Sequence, residues 1–247
     1  MSKKITLYQA LKRSGLFQDK QEINKVVNKG LVKVNGIVNK CLKFQFNPNK
    51  NNVTYFEEST SQERIIKDIP KFYFVINKPR QYSCQKGDRY PYVGDLIDID
   101  KDIKNSLFAV GRLDIPTTGV LIITNDGDFG TKLLNPDNKI EKRYWVLVKE
   151  KITKEQIEYL ESGVIIEVYS GNYLTKPAKV KILNDYEMEL TISEGKYRQV
   201  RRMLEVVDNR VIALRREAIG SLELRNLNLS ESDWKELSDK DIKKLLH

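Results

Sequence analysis

Apolar positions along this chain recur first at helical spacing and then mostly at strand spacing. Leu7, Ala10 and Leu11 fall on one face of a helix over residues 6–13, and Ile23, Val26 and Val27 on one face of a second over 20–29. Gly30 stands where a helix closes in the left-handed region. Leu31-Val-Lys-Val-Asn-Gly-Ile-Val38 then alternates around an Asn-Gly pair, which predicts a hairpin, and 53–56 predicts a further strand after an asparagine-rich loop. Residues 59–70 are polar and close on Ile69-Pro70, the pattern of a linker. Beyond residue 71 the spacing predicts strands over 72–77, 107–110, 120–123, 144–148, 180–183 and 187–192. In the last of these Met188, Leu190 and Ile192 face one way and Glu187, Glu189 and Thr191 the other. Helical spacing returns over 128–135, 153–162, 197–207 and 231–246. Strands interleaved irregularly with few helices predict an α+β fold: a small αα-β module over 1–59, a linker over 60–70, and a domain over 71–247 with a large, mostly antiparallel mixed sheet flanked by helices.

Charge sharpens this division. The 247 residues carry 43 Lys/Arg against 34 Asp/Glu, a net charge of +9. Residues 1–60 hold eleven Lys/Arg and four Asp/Glu, so +7 of the excess sits in the first quarter. Such a distribution suits a polyanionic partner. No apolar run approaches the ~18 residues of a membrane span. Met1-Ser-Lys-Lys-Ile-Thr also lacks an apolar run of the leader type. A cytoplasmic location with no membrane partner is expected. Cys41 and Cys84, the only cysteines, do not make a disulfide framework.

Several chemistries are excluded at this point. The only histidine is His247, so Ser-His-Asp and Cys-His sites and histidine-based metal centres have no residue to use. Two cysteines cannot form a Cys₄ zinc site. Neither a phosphate-binding Gly-x-x-x-x-Gly-Lys-[Ser/Thr] loop nor a Gly-x-Gly-x-x-Gly is present. Asp98-Ile-Asp-Lys-Asp102 begins like a calcium loop, but Ile103 stands where glycine is needed and Ala109 where a glutamate should bind, so it reads as a solvated acidic turn. No metal or cofactor is expected. Chemistry must rest on carboxylate, Lys, Arg, Tyr or Ser/Thr groups.

One carboxylate stands out. Gly111-Arg112-Leu113-Asp114-Ile115-Pro116-Thr117-Thr118-Gly119 sets Asp114 in a tight turn between the apolar runs 107–110 and 120–123, and Asn125-Asp126-Gly127 closes the second run with a turn. A loop between buried strands displays a reactive group at the edge of a rigid sheet. The whole stretch resembles the active-site motif of the pseudouridine synthases. Four further segments match that family in order: Phe74-Val-Ile-Asn-Lys-Pro79, Lys142-Arg-Tyr-Trp-Val146, Ile192-Ser-Glu-Gly-Lys-Tyr-Arg-Gln-Val-Arg-Arg-Met203 and Val211-Ile-Ala-Leu-Arg-Arg-Glu-Ala-Ile-Gly220. Gly30-Leu-Val-Lys-Val-Asn-Gly36 and the two helices before it resemble the S4 RNA-binding domain. Two positions depart from the family: Arg80-Gln81 replaces its usual x-Gly, and Arg198 replaces a histidine. Asp19-Lys20 stands where S4 domains often have an arginine opening the second helix.

The resemblance implies an enzyme that isomerises uridine to pseudouridine in RNA without a cofactor. Asp114 would be the nucleophile, Arg201 its ion-pair partner, and Tyr144 the ring that stacks on uracil. Arg112, Leu113, Lys142 and Leu214 would contact substrate, and Lys196, Arg198, Arg202, Arg215 and Arg216 would meet phosphates. Lys12, Arg13, Lys20, Lys25, Lys29 and Lys33 would form the RNA-facing surface of the S4-like module. The front module and Leu174-Thr-Lys-Pro-Ala178 resemble the branch that acts on uridine 516 of 16S ribosomal RNA. They imply ribosomal RNA, in a small-subunit assembly intermediate, as partner to a monomeric enzyme. Two alternatives stand beside this one: the same chemistry on 23S ribosomal RNA, and a non-catalytic RNA-binding protein on the same scaffold.

Overall fold

The computed structural model describes residues 4–246, so His247 lies outside the described residues. The chain divides into two compact units. The first contains the residues up to Lys71 together with Ile97–Leu107; the second contains Phe72–Leu96 and the residues from Phe108 onward.

In the first unit, strand β1 (Ile5–Thr6) leads into helix α1 (Leu7–Arg13) through a capping box. The Thr6 hydroxyl accepts from the Gln9 N–H, and the Gln9 side chain accepts from the Thr6 N–H. Asp19 caps α2 (Lys20–Asn28). The residues expected to face inward from both helices are buried. Strands β2 (Val32–Val34) and β3 (Ile37–Val38) are joined by Asn35 and Gly36, both at positive φ, as a tight hairpin turn requires. Strand β4 (Gln45–Phe46) pairs with β1, and β5 (Val53–Glu57) and β6 (Gln62–Ile65) complete a four-stranded sheet in the order β3-β2-β5-β6. Strand β6 corrects the expectation of a linker throughout 60–70. All four of its residues are exposed. Backbone pairing to β5 and an Arg64–Glu57 ion pair at 2.9 Å hold it, so no apolar period announces it.

The second unit begins with β7 (Tyr73–Lys78). Before the next strand the chain supplies α3 (Lys101–Ser106) to the first unit. The Asp100 carboxylate caps α3 by accepting from the Asp102 and Ile103 N–H groups, so the expected acidic turn is the start of a helix. A Cβ at Gly15 would lie 1.9 Å from the Asp102 carbonyl oxygen, and Gly15 has φ +71°, so this packing admits only glycine.

There follow β8 (Phe108–Val110), β9 (Thr118–Thr124), α4 (Gly127–Leu134), β10 (Lys142–Val148), α5 (Lys154–Ser162), the hairpin β11 (Ile165–Val168) and β12 (Gly171–Leu174), β13 (Lys179–Ile182), β14 (Glu187–Ile192) and α6 (Gln199–Val206). The unit ends with β15 (Val211–Ile219), β16 (Leu222–Glu223), α7 (Leu224–Leu227), β17 (Trp234–Glu236) and α8 (Asp239–Leu246). The main sheet runs β13-β14-β10-β15-β9-β7-β17, with β8 beside β9 and β16 beside β15. Its pairings are antiparallel except that of β9 with β15. This is the α+β architecture with a large mixed sheet that the alternation predicts. Strand β9 is buried along its whole length, and Val75, Val120, Ile122, Phe129, Leu133 and Ile219 share one core with it.

Three elements differ from expectation. The helix expected over 231–246 starts only at Asp239, because Trp234–Glu236 pairs with β7 and the Trp234 ring meets Phe74 edge to face at 5.5 Å. The helix expected over 197–207 starts at Gln199, because Arg198 has φ +53°. Central strand β15 was not among the expected strands: Arg215-Arg216-Glu217 interrupts its apolar pattern, yet Arg216 is buried.

Candidate active site

The turn that carries Asp114 is tied from several sides. The Thr117 N–H donates to the Asp114 carbonyl at 3.0 Å. Lys78, at the end of β7, is fully buried, and its ammonium donates to the carbonyls of Thr117 (2.9 Å), Pro79 (3.0 Å), Asp114 (3.3 Å) and Ile115 (3.4 Å). Burial pushes the Lys78 pKa down to about 8, against the pull of Cys84 and Asp114. The Gln81 N–H donates to the Ile115 carbonyl at 3.1 Å, and Gln81 has φ +65°. A glutamine thus adopts a glycine-like backbone where the family's usual glycine is absent. The Leu113 N–H donates to the Cys84 sulfur at 3.3 Å, and burial raises the pKa of that thiol.

Gly119 brings β15 close behind this turn. It pairs in parallel with Arg216, has φ +104°, and a Cβ there would lie 2.2 Å from the Arg216 carbonyl oxygen. Helix α6 then supplies the partners of the Asp114 carboxylate. Arg201 Nε and Arg198 Nη1 each donate to Asp114 Oδ2 at 3.3 Å. Arg201 is further held by the Val211 carbonyl at 3.3 Å and the Thr117 hydroxyl at 3.4 Å. Burial lowers the Arg201 pKa, and Asp114 counters that shift. Below the pair lies an open cleft of 580 Å³, which Asp114, Arg198 and Arg201 line together with Tyr144 and Lys142 from β10 and Leu214 from β15.

Most residues expected at the site therefore meet. Leu113, Arg112, Lys196 and Arg216 also line the cleft. Arg112 is held by the Gln85 side-chain oxygen at 3.1 Å, and the Lys196 ammonium sits 4.2 Å from the centre of the Tyr173 ring. Four arginines expected to meet phosphates have partners within the protein in this structure. The Arg198 guanidinium is on Asp114. Arg216 is buried, donates to the Val120 carbonyl at 2.7 Å, and holds two strands together. Arg202 is outside the cleft lining; it donates to the Glu167 carbonyl and lies over the ring of Tyr197, which does line the cleft. Arg215 also lies outside the cleft lining, over Trp145 at 5.3 Å. Lys142 is buried as well, and burial lowers its pKa, with Arg216 adding to the shift.

Four of the six basic residues expected on the S4-like surface are engaged internally. Lys12 donates to the Asn105 carbonyl at 2.6 Å; Arg13 pairs with Asp68, Lys29 with Glu58 and Lys33 with Glu63. Lys20 and Lys25 are exposed. Three contributors escaped the sequence reading as site residues: Lys78, Thr117 and Glu194. The buried Glu194 carboxylate accepts from the Tyr173 hydroxyl (2.7 Å), the Gln199 side-chain amide (2.7 Å) and the Lys176 N–H (3.0 Å), which anchors the start of α6. All three lie inside the matched segments, so the signal was present. What local pattern lacks is the fact that they are buried polar groups with partners.

A carboxylate held in a cleft by a buried arginine, on a mixed sheet, is an arrangement open to more than one class of enzyme. Comparison with known proteins identifies which. Residues 72–206 match the family of RNA pseudouridylate synthases. Over 171 residues, covering 69% of this chain and 72% of the relative, it is 36% identical to the ribosomal small subunit pseudouridine synthase A of Salmonella typhimurium. It is 35% identical over 231 residues, 92% of each chain, to YtzG of Bacillus subtilis, an uncharacterised RNA pseudouridine synthase. A crystal structure of a pseudouridylate synthase superposes with a TM-score of 0.69 at 30% identity, covering 98% of this chain and 99% of that one. The chain belongs to the RNA pseudouridylate synthase family and is a pseudouridine synthase.

Proposed function

We propose that this enzyme converts a uridine of 16S ribosomal RNA to pseudouridine, with Asp114 as the nucleophile. The observation that carries the reading is the Asp114–Arg201 pair in a cleft that Tyr144 also lines. The reaction breaks the N-glycosidic bond, turns the uracil and rejoins it through C5. One proton leaves C5 and one is gained at the freed nitrogen, so no oxidant, metal or external energy is required. The guanidinium of Arg201, bonded to Asp114 Oδ2, fixes the direction of the carboxylate. Tyr144, which lines the cleft, would stack on the uracil, and its hydroxyl would carry a proton. At 580 Å³ the cleft has room for one nucleotide drawn out of its stack. Lys196 and Arg112 at its wall suit the flanking phosphates.

The target rests on relatives whose names specify the small ribosomal subunit, among them that of Haemophilus influenzae, 31% identical over 92% of this chain. The first unit, reading as S4-like over 1–59 and strongly basic, would hold the RNA, with Lys20 and Lys25 among its exposed cations. The enzyme would act as a cytoplasmic monomer on a subunit assembly intermediate.

The test is to map pseudouridines in 16S and 23S ribosomal RNA from a strain lacking the gene. One 16S pseudouridine should disappear and return with the wild-type gene but not with Asp114→Asn, whose RNA affinity should stay within a few fold. Loss from 23S RNA would reassign the target. Unchanged maps, or rescue by Asp114→Asn, would refute the reading.

A further inference from the structure

Two guanidiniums share one oxygen of the Asp114 carboxylate, but they are held very differently. Arg201 is pinned by the Val211 carbonyl and the Thr117 hydroxyl, and its side chain is 10% exposed. Among the described residues the Arg198 side chain has no other hydrogen bond or ion pair, it is 35% exposed, and it leaves the chain from a left-handed residue at the mouth of α6, where no side chain caps the helix. Arg201 cannot leave Asp114 without stranding two buried acceptors. Arg198 can leave at the cost of a single contact.

A carboxylate with two cations on it is a poorer nucleophile than one with a single aligned partner, because both charges stabilise the anion that must attack. An RNA strand entering the cleft brings phosphates, to which a guanidinium binds through a bidentate fork. We propose that Arg198 is a substrate-released cover on Asp114: in the free enzyme it quenches the carboxylate, and in the complex it transfers to a backbone phosphate beside the target uridine, leaving Asp114 to Arg201 alone. The exchange is balanced in charge, since one anion replaces another on the same guanidinium. It gives Arg198 a positioning role: the nucleophile is uncovered only when RNA fills the cleft. This inference rests on the pseudouridine reading of the site.

The test compares wild type, Arg198→Gln, Arg198→Lys and Arg201→Lys on a transcript of small-subunit ribosomal RNA, measuring binding across a salt series and the single-turnover rate at saturating RNA. If Arg198 moves to phosphate, Arg198→Gln weakens binding by about tenfold, the size expected for one charge-assisted contact, and flattens the log–log salt slope by roughly 0.7. Its loss should then fall mainly on affinity, and Arg198→Lys should restore the slope. Arg201→Lys should show the opposite split, a large loss of saturating rate with the slope unchanged. An Arg198→Gln protein with a wild-type salt slope, its loss confined to the saturating rate, would show that Arg198 stays on Asp114 and would overturn the proposal. A transcript that wild type binds but never modifies would instead overturn the pseudouridine reading of this RNA, and the cover with it.

Discussion

Arg201 offers the sharpest test of how the site is built. Replacing it with methionine keeps much of the side-chain volume and removes three interactions: Asp114 Oδ2 at 3.3 Å, the Val211 carbonyl at 3.3 Å and the Thr117 hydroxyl at 3.4 Å. Breaking a buried pair from one side costs ~3–5 kcal/mol. The Asp114 side chain is 23% exposed and keeps Arg198, which brings that part down to about 2 kcal/mol. The two stranded acceptors add about 1 kcal/mol each. A total near 4 kcal/mol corresponds to a fall in Tm of roughly 10 °C for a unit of this size. Thermal unfolding followed by circular dichroism reads that shift, and a single-turnover assay should show a rate loss of two orders of magnitude or more, about 3 kcal/mol of transition-state stabilisation. Arg201→Lys should recover part of the stability and little of the rate, since an ammonium cannot span Asp114, Val211 and Thr117 together. A methionine variant with Tm within about 2 °C of wild type and undiminished turnover would refute the reasoning, because Arg201 would then hold nothing in place.

Three further outcomes follow from the turn around Asp114. Gln81→Gly should raise stability by up to about 1 kcal/mol, as relief of the left-handed strain at φ +65° outweighs glycine's larger unfolded-state entropy; urea unfolding measures it, and a destabilised variant would contradict the strain. Gly119→Ala should lower stability by several kcal/mol (order of magnitude from overpacking plus strain) and abolish turnover, because its Cβ would meet the Arg216 carbonyl oxygen; normal unfolding and activity would mean the two strands part at no cost. For Lys78, with its pKa near 8 against an ordinary 10.5, the unfolded chain holds a proton that the folded chain lacks across that window. Stability relative to Lys78→Met should therefore rise with pH from about 8 to 10.5, while turnover falls as the ammonium that clamps four carbonyls is lost; parallel pH profiles for the two proteins would show that Lys78 does not titrate there.

Much of this was legible in sequence wherever the cause is local. The inward faces of α1 and α2, the Asn35-Gly36 turn, the alternation of β14 and the tight turn of Asp114 each depend on residues a few positions apart. The candidate site was legible too, because Asp114, Tyr144 and Arg201 lie in segments that match a family in order. The edges failed where pairing does not depend on apolar side chains. Strand β6 is wholly exposed, β17 is recruited by the free edge of β7, and α3 is cut from the middle of one unit to pack in the other.

By itself, then, the sequence determined the periodicities, the turns, the charge excess of the first quarter and the residue types available for chemistry. Only the tertiary structure decided what the arginines do. Arg216 and Arg198 both read as phosphate contacts; in the folded chain Arg216 is buried against the Val120 carbonyl 96 residues away, and Arg198 reaches Asp114 across 84 residues. A buried cation is stable only where carbonyls or a carboxylate converge on it. Those acceptors come from strands brought together by the insertion of β15 between β9 and β10, a long-range pairing that no window of sequence contains.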